Sequence, residues 1–178
     1  MSPQAFIEAY FNWLGSEPNI VSIPRNEYLS KTGQVEQYLY LITSGVIRAI
    51  YISKEEEFTV RFGYKGSVIA SLDSFITGKP SQFYLQAIRK TTAIKIERSK
   101  YLEFVKSSPI IMEVHLNLMN DLLNSMLERE IDLLTSSPIE RYHRIKERSP
   151  QVFQEVPLKY IASYLRMTPE TLSRLRKS

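Results

Sequence analysis

Hydrophobic positions along the chain fall into distinct textures. In "PQAFIEAYFNWL", residues 3–14, the apolar side chains of Phe6, Ile7, Tyr10, Phe11 and Leu14 recur at helical spacing, and Gly15 follows as a stop. From Tyr38 to about Ile96 the period shortens. "YLYLITSGVIRAIYI" is rich in Tyr, Ile, Leu and Val and is broken by Ser44-Gly45, a turn signal; "EEEFTVRFGYKGSVIA" and "FYLQAIRKTTAIKIE" continue the pattern. Half-polar strands with turns roughly every eight to twelve residues predict a sandwich or barrel. Strands that close on themselves favour a jelly roll over an open sheet. Glu55-Glu56-Glu57 is expected as a solvated turn between two of them.

After Ser108-Pro109 the pattern becomes helical again. Ser108 suits a helix cap and Pro109 a first helical position. The run through Leu134 has no Gly and no further Pro. Met112, Leu116, Met119, Leu123, Met126 and Leu133 step by fours and threes, with Glu130 interrupting; Ile111, Val114, Leu118 and Leu122 form an adjacent face. A helix of this length extends about 38 Å. Its apolar stripe is wider than one contact requires. One edge is expected to pack on the β-domain and the other to meet a second copy, with a helix buried wholly in its own subunit as the competing reading.

Ser137-Pro138-Ile139-Glu140 reads as a capping box that opens a new helix, with Ile139, Tyr142 and Ile145 on its apolar face. "VPLKYIASYL" then carries Ile161, Ala162 and Leu165 inward. Thr168 caps a following helix, Pro169 starts it, and Leu172 and Leu175 face inward. Two short helices joined by a tight turn make a helix-turn-helix, whose second helix enters the DNA major groove. Such a helix needs one apolar face only, because the other meets DNA. A helical hairpin that caps a core, or a protein-contact module, has the same pattern.

Charge sharpens this picture. Residues 1–138 hold 14 Lys and Arg against 15 Asp and Glu, whereas residues 139–178 hold nine against four. A basic end on a near-neutral body suits a polyanion. The expected divisions are 1–108 for an effector domain, 109–136 for a dimerisation helix and 137–178 for a DNA-binding unit. Glu170, Thr171 and Arg174 are candidates for base contacts, because Glu accepts from cytosine and Arg donates twice to guanine. Lys159, Thr168, Ser173, Arg176 and Lys177 suit phosphates.

The order of barrel, long helix and helix-turn-helix resembles the cyclic-AMP-receptor/fumarate-nitrate-regulator (Crp/Fnr) family. The resemblance is carried by "YLITSGVIRAIY", "GSVIASLDSFITGKPSQFYLQAI" and "VPLKYIASYLRMTPETLSRLRK". It implies an α+β chain: a cyclic-nucleotide-binding-like jelly roll, a dimerisation helix and a C-terminal helix-turn-helix. It also implies a homodimer on a palindromic double-stranded operator, with RNA polymerase and an unidentified small molecule as further candidate partners. The family's phosphate cassette holds the ribose with Glu and the phosphate with Arg and Ser. The matching segment here reads Ala70-Ser71-Leu72 and Ser81-Gln82-Phe83, with Ser71 at the Glu position and Ser81 at the Arg position. A buried phosphate needs a cation or converging amides. The pocket is therefore expected to refuse cyclic AMP, unless Arg61 or Arg89 reaches in. The family usually places Gly in the helix-turn-helix turn, where Arg166 stands. A non-Gly residue there costs about 1 kcal/mol, or Arg166 reaches a phosphate; the sequence leaves both open.

Other chemistries find little support. There is no cysteine, which removes disulfides and thiolate-bound clusters. The two histidines, His115 and His143, are expected on helix surfaces away from the barrel. No cofactor, metal or catalytic constellation is expected, and the chain is not expected to be an enzyme. The tyrosines Tyr38, Tyr40, Tyr51, Tyr64 and Tyr84 are read as barrel packing, with a small-molecule cup as the alternative. No apolar run approaches the ~20 residues that span a bilayer, and the N-terminus lacks a secretory pattern, so a cytoplasmic location without membrane contact is expected.

Overall fold

A computed structural model describes residues 3–177. Helix α1 (Pro3–Leu14) forms where the 3.6-residue period places it, and Gly15 follows with φ of 67°. Eight strands come next: β1 (Asn19–Ile23), β2 (Tyr28–Ser30), β3 (Tyr38–Ser44), β4 (Val46–Ser53), β5 (Glu56–Tyr64), β6 (Val68–Ile69), β7 (Phe83–Ala87) and β8 (Thr91–Glu97). The short helix α2 (Leu72–Thr77) lies between β6 and β7. Two antiparallel sheets result, with strand orders β1-β8-β3-β6 and β2-β7-β4-β5. That is the double-sheet jelly roll.

The barrel interior is closed by Ile42, Ile47, Leu85, Ala87 and Ala93, with Tyr40 buried beside them. At Gly45, φ is 85° and an added Cβ would sit 2.4 Å from the Lys90 carbonyl, so both the turn and the close strand approach require glycine there. The β4–β5 hairpin is less well served. Ser53 pairs with Glu56, which leaves Lys54-Glu55 as a two-residue turn with φ of 51° and 68°. Both residues have a Cβ and both occupy the left-handed region. The expected acidic turn is corrected accordingly: Glu56 and Glu57 are strand residues, and Glu57 ion-pairs with Arg48 at 2.7 Å. The period-2 signal is weak there because the chain enters β5 through three acids in a row.

Helix α3 (Arg98–Lys106) and the 26-residue α4 (Pro109–Leu134) run from the barrel. Ser108 caps α4, its side chain accepting from the Ile110 amide, with Pro109 in the first turn. Phe6, Ile7 and Tyr10 of α1 pack with Tyr101, Phe104 and Val105 of α3 and with Leu39 and Ile96 of the barrel. Ile111, Met112, Val114 and Leu118 of α4 lie against that cluster. Leu116, Leu123, Met126, Leu127, Leu133 and Leu134 remain exposed. Met112, at one end of the stripe inferred from sequence, is half-buried against the protomer's own core, and Leu127 and Leu134 are exposed beside that stripe.

Past α4 come α5 (Pro138–Arg148), α6 (Val152–Glu155), α7 (Leu158–Tyr164) and α8 (Pro169–Leu175). The Ser137 hydroxyl accepts from the Glu140 amide, which is half of the expected capping box. Asp132, only 1% exposed, fixes α5 to α4. It accepts from Arg144 Nε at 2.7 Å and from both terminal nitrogens of Arg148, while Glu128 takes Arg144's remaining arm at 2.7 Å. No helix among the described residues is long and apolar enough to cross a membrane.

The Lys54-Glu55 turn yields a direct test of this backbone. Glu55→Gly removes left-handed strain but adds freedom to the unfolded chain, so the net gain expected is about 0.5–1 kcal/mol. Urea unfolding should show a higher midpoint at unchanged slope. A lower midpoint would mean that the turn is not strained.

Candidate functional site

Strand β6 is two residues long, so the chain leaves the sheet at Ala70 and turns into α2 at once. That turn places Ser71, Asp73 and Ser74 against the loops that precede β3 and β7. Glu36, buried, accepts from the Tyr38 amide at 3.1 Å and from the Ser71 amide at 3.3 Å. Its own amide donates to Ser74 Oγ at 2.7 Å, and Ser71 Oγ donates to Ser30 Oγ at 3.2 Å. Burial pushes the Glu36 carboxyl pKa up, and the Tyr38 and Ser71 amides pull it part of the way back. Asp73 does for the second half of the segment what Glu36 does for the first. Its Oδ1 accepts from Ser81 Oγ at 2.9 Å and its Oδ2 from the Gln82 amide at 2.8 Å.

Ser71, Ser81 and Gln82 are therefore brought together, but not as an open effector pocket. Their donors already serve two carboxylates of the protein itself. An incoming phosphate would compete with Asp73 for the Ser81 hydroxyl and the Gln82 amide, and would meet two carboxylates in place of a cation. Neither candidate arginine relieves this. Arg89 ion-pairs with Glu155 at 3.3 Å, and Arg61 lines a different cavity. Sequence reasoning missed Glu36 and Asp73. The acidic Asp73 two residues past Ser71 was the available signal.

Ala70 and Leu72 face the other way. They line a cavity of about 550 Å³ between α4, α3, α1 and the barrel wall. None of the five tyrosines singled out in the strands lines it. His115 does, which corrects its expected place on a surface away from the barrel. Its Nδ1 lies 2.8 Å from the Tyr101 hydroxyl, and burial pushes its pKa down, so the ring is neutral at pH 7. His143 is exposed on α5. Among the described residues no group of three or more His, Cys, Asp or Glu could hold a metal.

The C-terminal helices form a second polar surface. Ile161, Ala162, Leu165 and Leu172 are buried with Tyr142 and Ile145 of α5 and with Val46, Phe62 and Ile88 of the barrel. Ala162 has no side chain beyond Cβ, which lets helices cross closely at that point. Thr168 caps α8 by accepting from the Thr171 amide at 3.2 Å, and the two threonine hydroxyls lie 3.1 Å apart. Thr168 thus caps the helix as its position predicts, and it stays exposed beside its candidate phosphate role. Glu170, Ser173, Arg174 and Lys177 share one shallow cleft with Leu158 and Pro169. Lys159, Arg174, Arg176 and Lys177 are exposed; Thr171 and Ser173 are half-buried. The α7–α8 turn has Arg166 at φ of 55°, and its guanidinium lies 4.1 Å over the Phe58 ring of β5. The cation therefore stacks on the barrel, which offsets part of the backbone strain.

The cyclic nucleotide-binding domain profile matches residues 20–108, half of the chain. The chain belongs to the cyclic nucleotide-binding domain family. No curated protein matches it. Among solved structures it is similar to FixK2 from Bradyrhizobium japonicum, with a TM-score of 0.77 at 16% identity, covering 91% of this chain and 84% of that one. It is similar to a CooA mutant from Carboxydothermus hydrogenoformans, with a TM-score of 0.69 at 17% identity over 94% and 82%. It is similar also to the c-di-GMP responsive global regulator CLP of Xanthomonas campestris, with a TM-score of 0.69 at 14% identity over 98% and 90%. At these identities the likeness is one of fold, that of Crp/Fnr-type regulators. The matched family and these folds are regulatory rather than enzymatic.

Occupied donors in the cassette give the second prediction. A ligand at a hundredfold excess over its dissociation constant stabilises a fold by ~2.7 kcal/mol. Micromolar cyclic AMP should leave the melting temperature unchanged. A clear upward shift would show that Asp73 gives way to a phosphate.

Proposed function

We propose that this protein is a dimeric, sequence-specific DNA-binding regulator of transcription of the Crp/Fnr type, whose barrel does not take cyclic AMP. In this reading residues 1–108 sense, 109–136 dimerise and 137–178 bind DNA as a helix-turn-helix. The observation that carries it is the shape of α8. Leu172 is fully buried and pins the helix from below, while Glu170, Ser173, Arg174 and Lys177 stand together on the open side. A polar face of this kind on a helix entered through a capped Pro turn is what a major groove receives. Glu170 in the first turn and Arg174 one turn later have the chemistry to read cytosine and guanine; Thr171 lies beside them. Lys159, Arg176 and Lys177, all exposed, have the charge to meet phosphates, with Thr168 and Ser173 as neutral donors. The exposed leucines of α4 support the dimer, since a monomer seldom leaves so long an apolar row wet.

One observation favours a second reading, in which the C-terminal helices are structural and the sensor acts through protein contacts. Helix α7 packs on β5: the Thr59 amide donates to Ser163 Oγ at 3.1 Å, and nearby Arg48 of β4 stacks over Tyr160 at 4.3 Å. Selection of bound sequences from a random DNA pool separates the two. Enrichment of a palindrome with half-site centres about 34 Å apart supports the regulator; no enrichment supports the structural cap.

The assigned roles separate in two further experiments. Arg174→Ala should lose ~1–3 kcal/mol on the selected site and flatten discrimination at one base pair per half-site, whereas Lys177→Ala should weaken all sequences alike and lower the salt slope by roughly one. An unchanged ranking of operator variants for Arg174→Ala removes the base-reading role. Leu123→Glu should place unpaired charge in the α4 seam and dissociate the dimer; an unchanged sedimentation coefficient would remove the seam.

A further inference from the structure

We infer that the cavity between α4 and the barrel wall binds an anionic amphiphile, a single carboxylate on an apolar body, with Arg61 as its counter-ion. The inference deepens the reading of the barrel as a sensor. It is tested without DNA, so it stands or falls separately from the recognition-helix assignment.

At about 550 Å³ the cavity lies within the range of small-molecule sites, roughly 300–1,000 Å³. Most of its wall is apolar: Phe6, Leu39, Val68, Leu72, Phe75 and Leu118 among others. Besides the Tyr101 phenol, four ionisable side chains interrupt that wall, and they are not equivalent. Arg98 is engaged, its Nε donating to the Phe75 carbonyl at 2.6 Å with the guanidinium over the Phe75 ring. Asp121 is exposed at the rim. His115 is held by Tyr101. If that hydroxyl donates to Nδ1, the ring proton sits on Nε2 and is left as a donor. Arg61 differs from all three. Its side chain makes no hydrogen bond or ion pair among the described residues, although β5 carries it into a partly buried position.

Charge removed from water without a partner is costly, and an apolar wall cannot offset that cost. Burial accordingly pulls the Arg61 pKa down, with Tyr164 and Tyr64 as its charge-sensitive neighbours. A neutral apolar ligand would leave the guanidinium stranded. A cation would add repulsion. One carboxylate matches the fork of donors, and an apolar body matches the remaining wall. The position also has a consequence for regulation. Two residues before Arg61, Thr59 is gripped by α7 at its amide and by Arg129 of α4 at its carbonyl, so a ligand on Arg61 loads the strand that both helices hold.

The test is calorimetric titration of the full chain with decanoate and with decyltrimethylammonium, which share an apolar chain and differ in charge. Decanoate should bind saturably, one per chain, and raise the melting temperature, and the cation should do neither. Arg61→Gln should weaken decanoate by about tenfold or more, and should melt no lower than the unsubstituted chain, because it removes an unpaired charge. Leu118→Trp, which fills the cavity and keeps Arg61, should abolish binding. Equal binding of the two amphiphiles, unaltered decanoate affinity in either variant, no decanoate binding at all, or an Arg61→Gln chain that fails to fold would each overturn the inference.

Discussion

Every part of this protein is referred to one helix, α4, and the decisive interaction on it is the buried carboxylate of Asp132. The first half of α4 is held by apolar contact with α1, α3 and the barrel. Hydrophobic contact is non-directional, and by itself would let α5 swivel at the far end of the helix. Asp132 ends that freedom. Its two oxygens are shared between Arg144 and Arg148, which lie one turn apart on α5. A charge buried to this degree has to keep its partners, so the α4–α5 angle is fixed by chemistry rather than by shape. Cluster packing against Val46, Phe62 and Ile88 of the barrel then sets where α7 and α8 stand.

What could be read from the sequence was local. Ser108, Ser137 and Thr168 announced three helix starts because a cap and its donor lie within three residues, and all three side chains accept as such a cap should. The strand period located the barrel for the same reason. Arg166 could be placed at positive φ because the turn demands it. Its stack on Phe58 could not, since the two residues are far apart in the chain and meet only when α7 docks on β5.

The misread positions share that cause. Met112 fits the heptad and also packs against its own core, because a heptad does not say which flank of a helix faces its own barrel. His115 lies on a helix that runs along the barrel, so a helical residue is also a cavity residue. In the cassette the sequence showed what was missing, a Glu and an Arg. It did not show what had replaced the ligand. Glu36 comes from the β2–β3 connection and meets Ser71 just past the neighbouring strand β6; Asp73 turns back from the first turn of α2 onto Ser81 and Gln82. With these two acids in place, the Ser71 amide, the Ser81 hydroxyl and the Gln82 amide all donate to the protein itself.

On the other side of that corner, where the inferred ligand would lie, one helix serves two surfaces. His115, Leu118 and Leu122 are spaced by three and four along the inner flank of α4 and line the cavity. Leu116, Leu123 and Met126, seven and three residues apart, are exposed along the outer flank, with Leu127 beside them. Met119 lies between the two rows, half-buried, touching the cavity and belonging to the heptad of the free face. A rigid helix cannot shift one flank and keep the other still. In the proposed dimer, whatever fills the cavity bears on the seam through the width of a single helix, and the seam bears on α5 through Asp132. The distance from ligand to DNA-facing surface is then covered by two rigid elements and one ionic joint, and no relay of small side-chain movements is required.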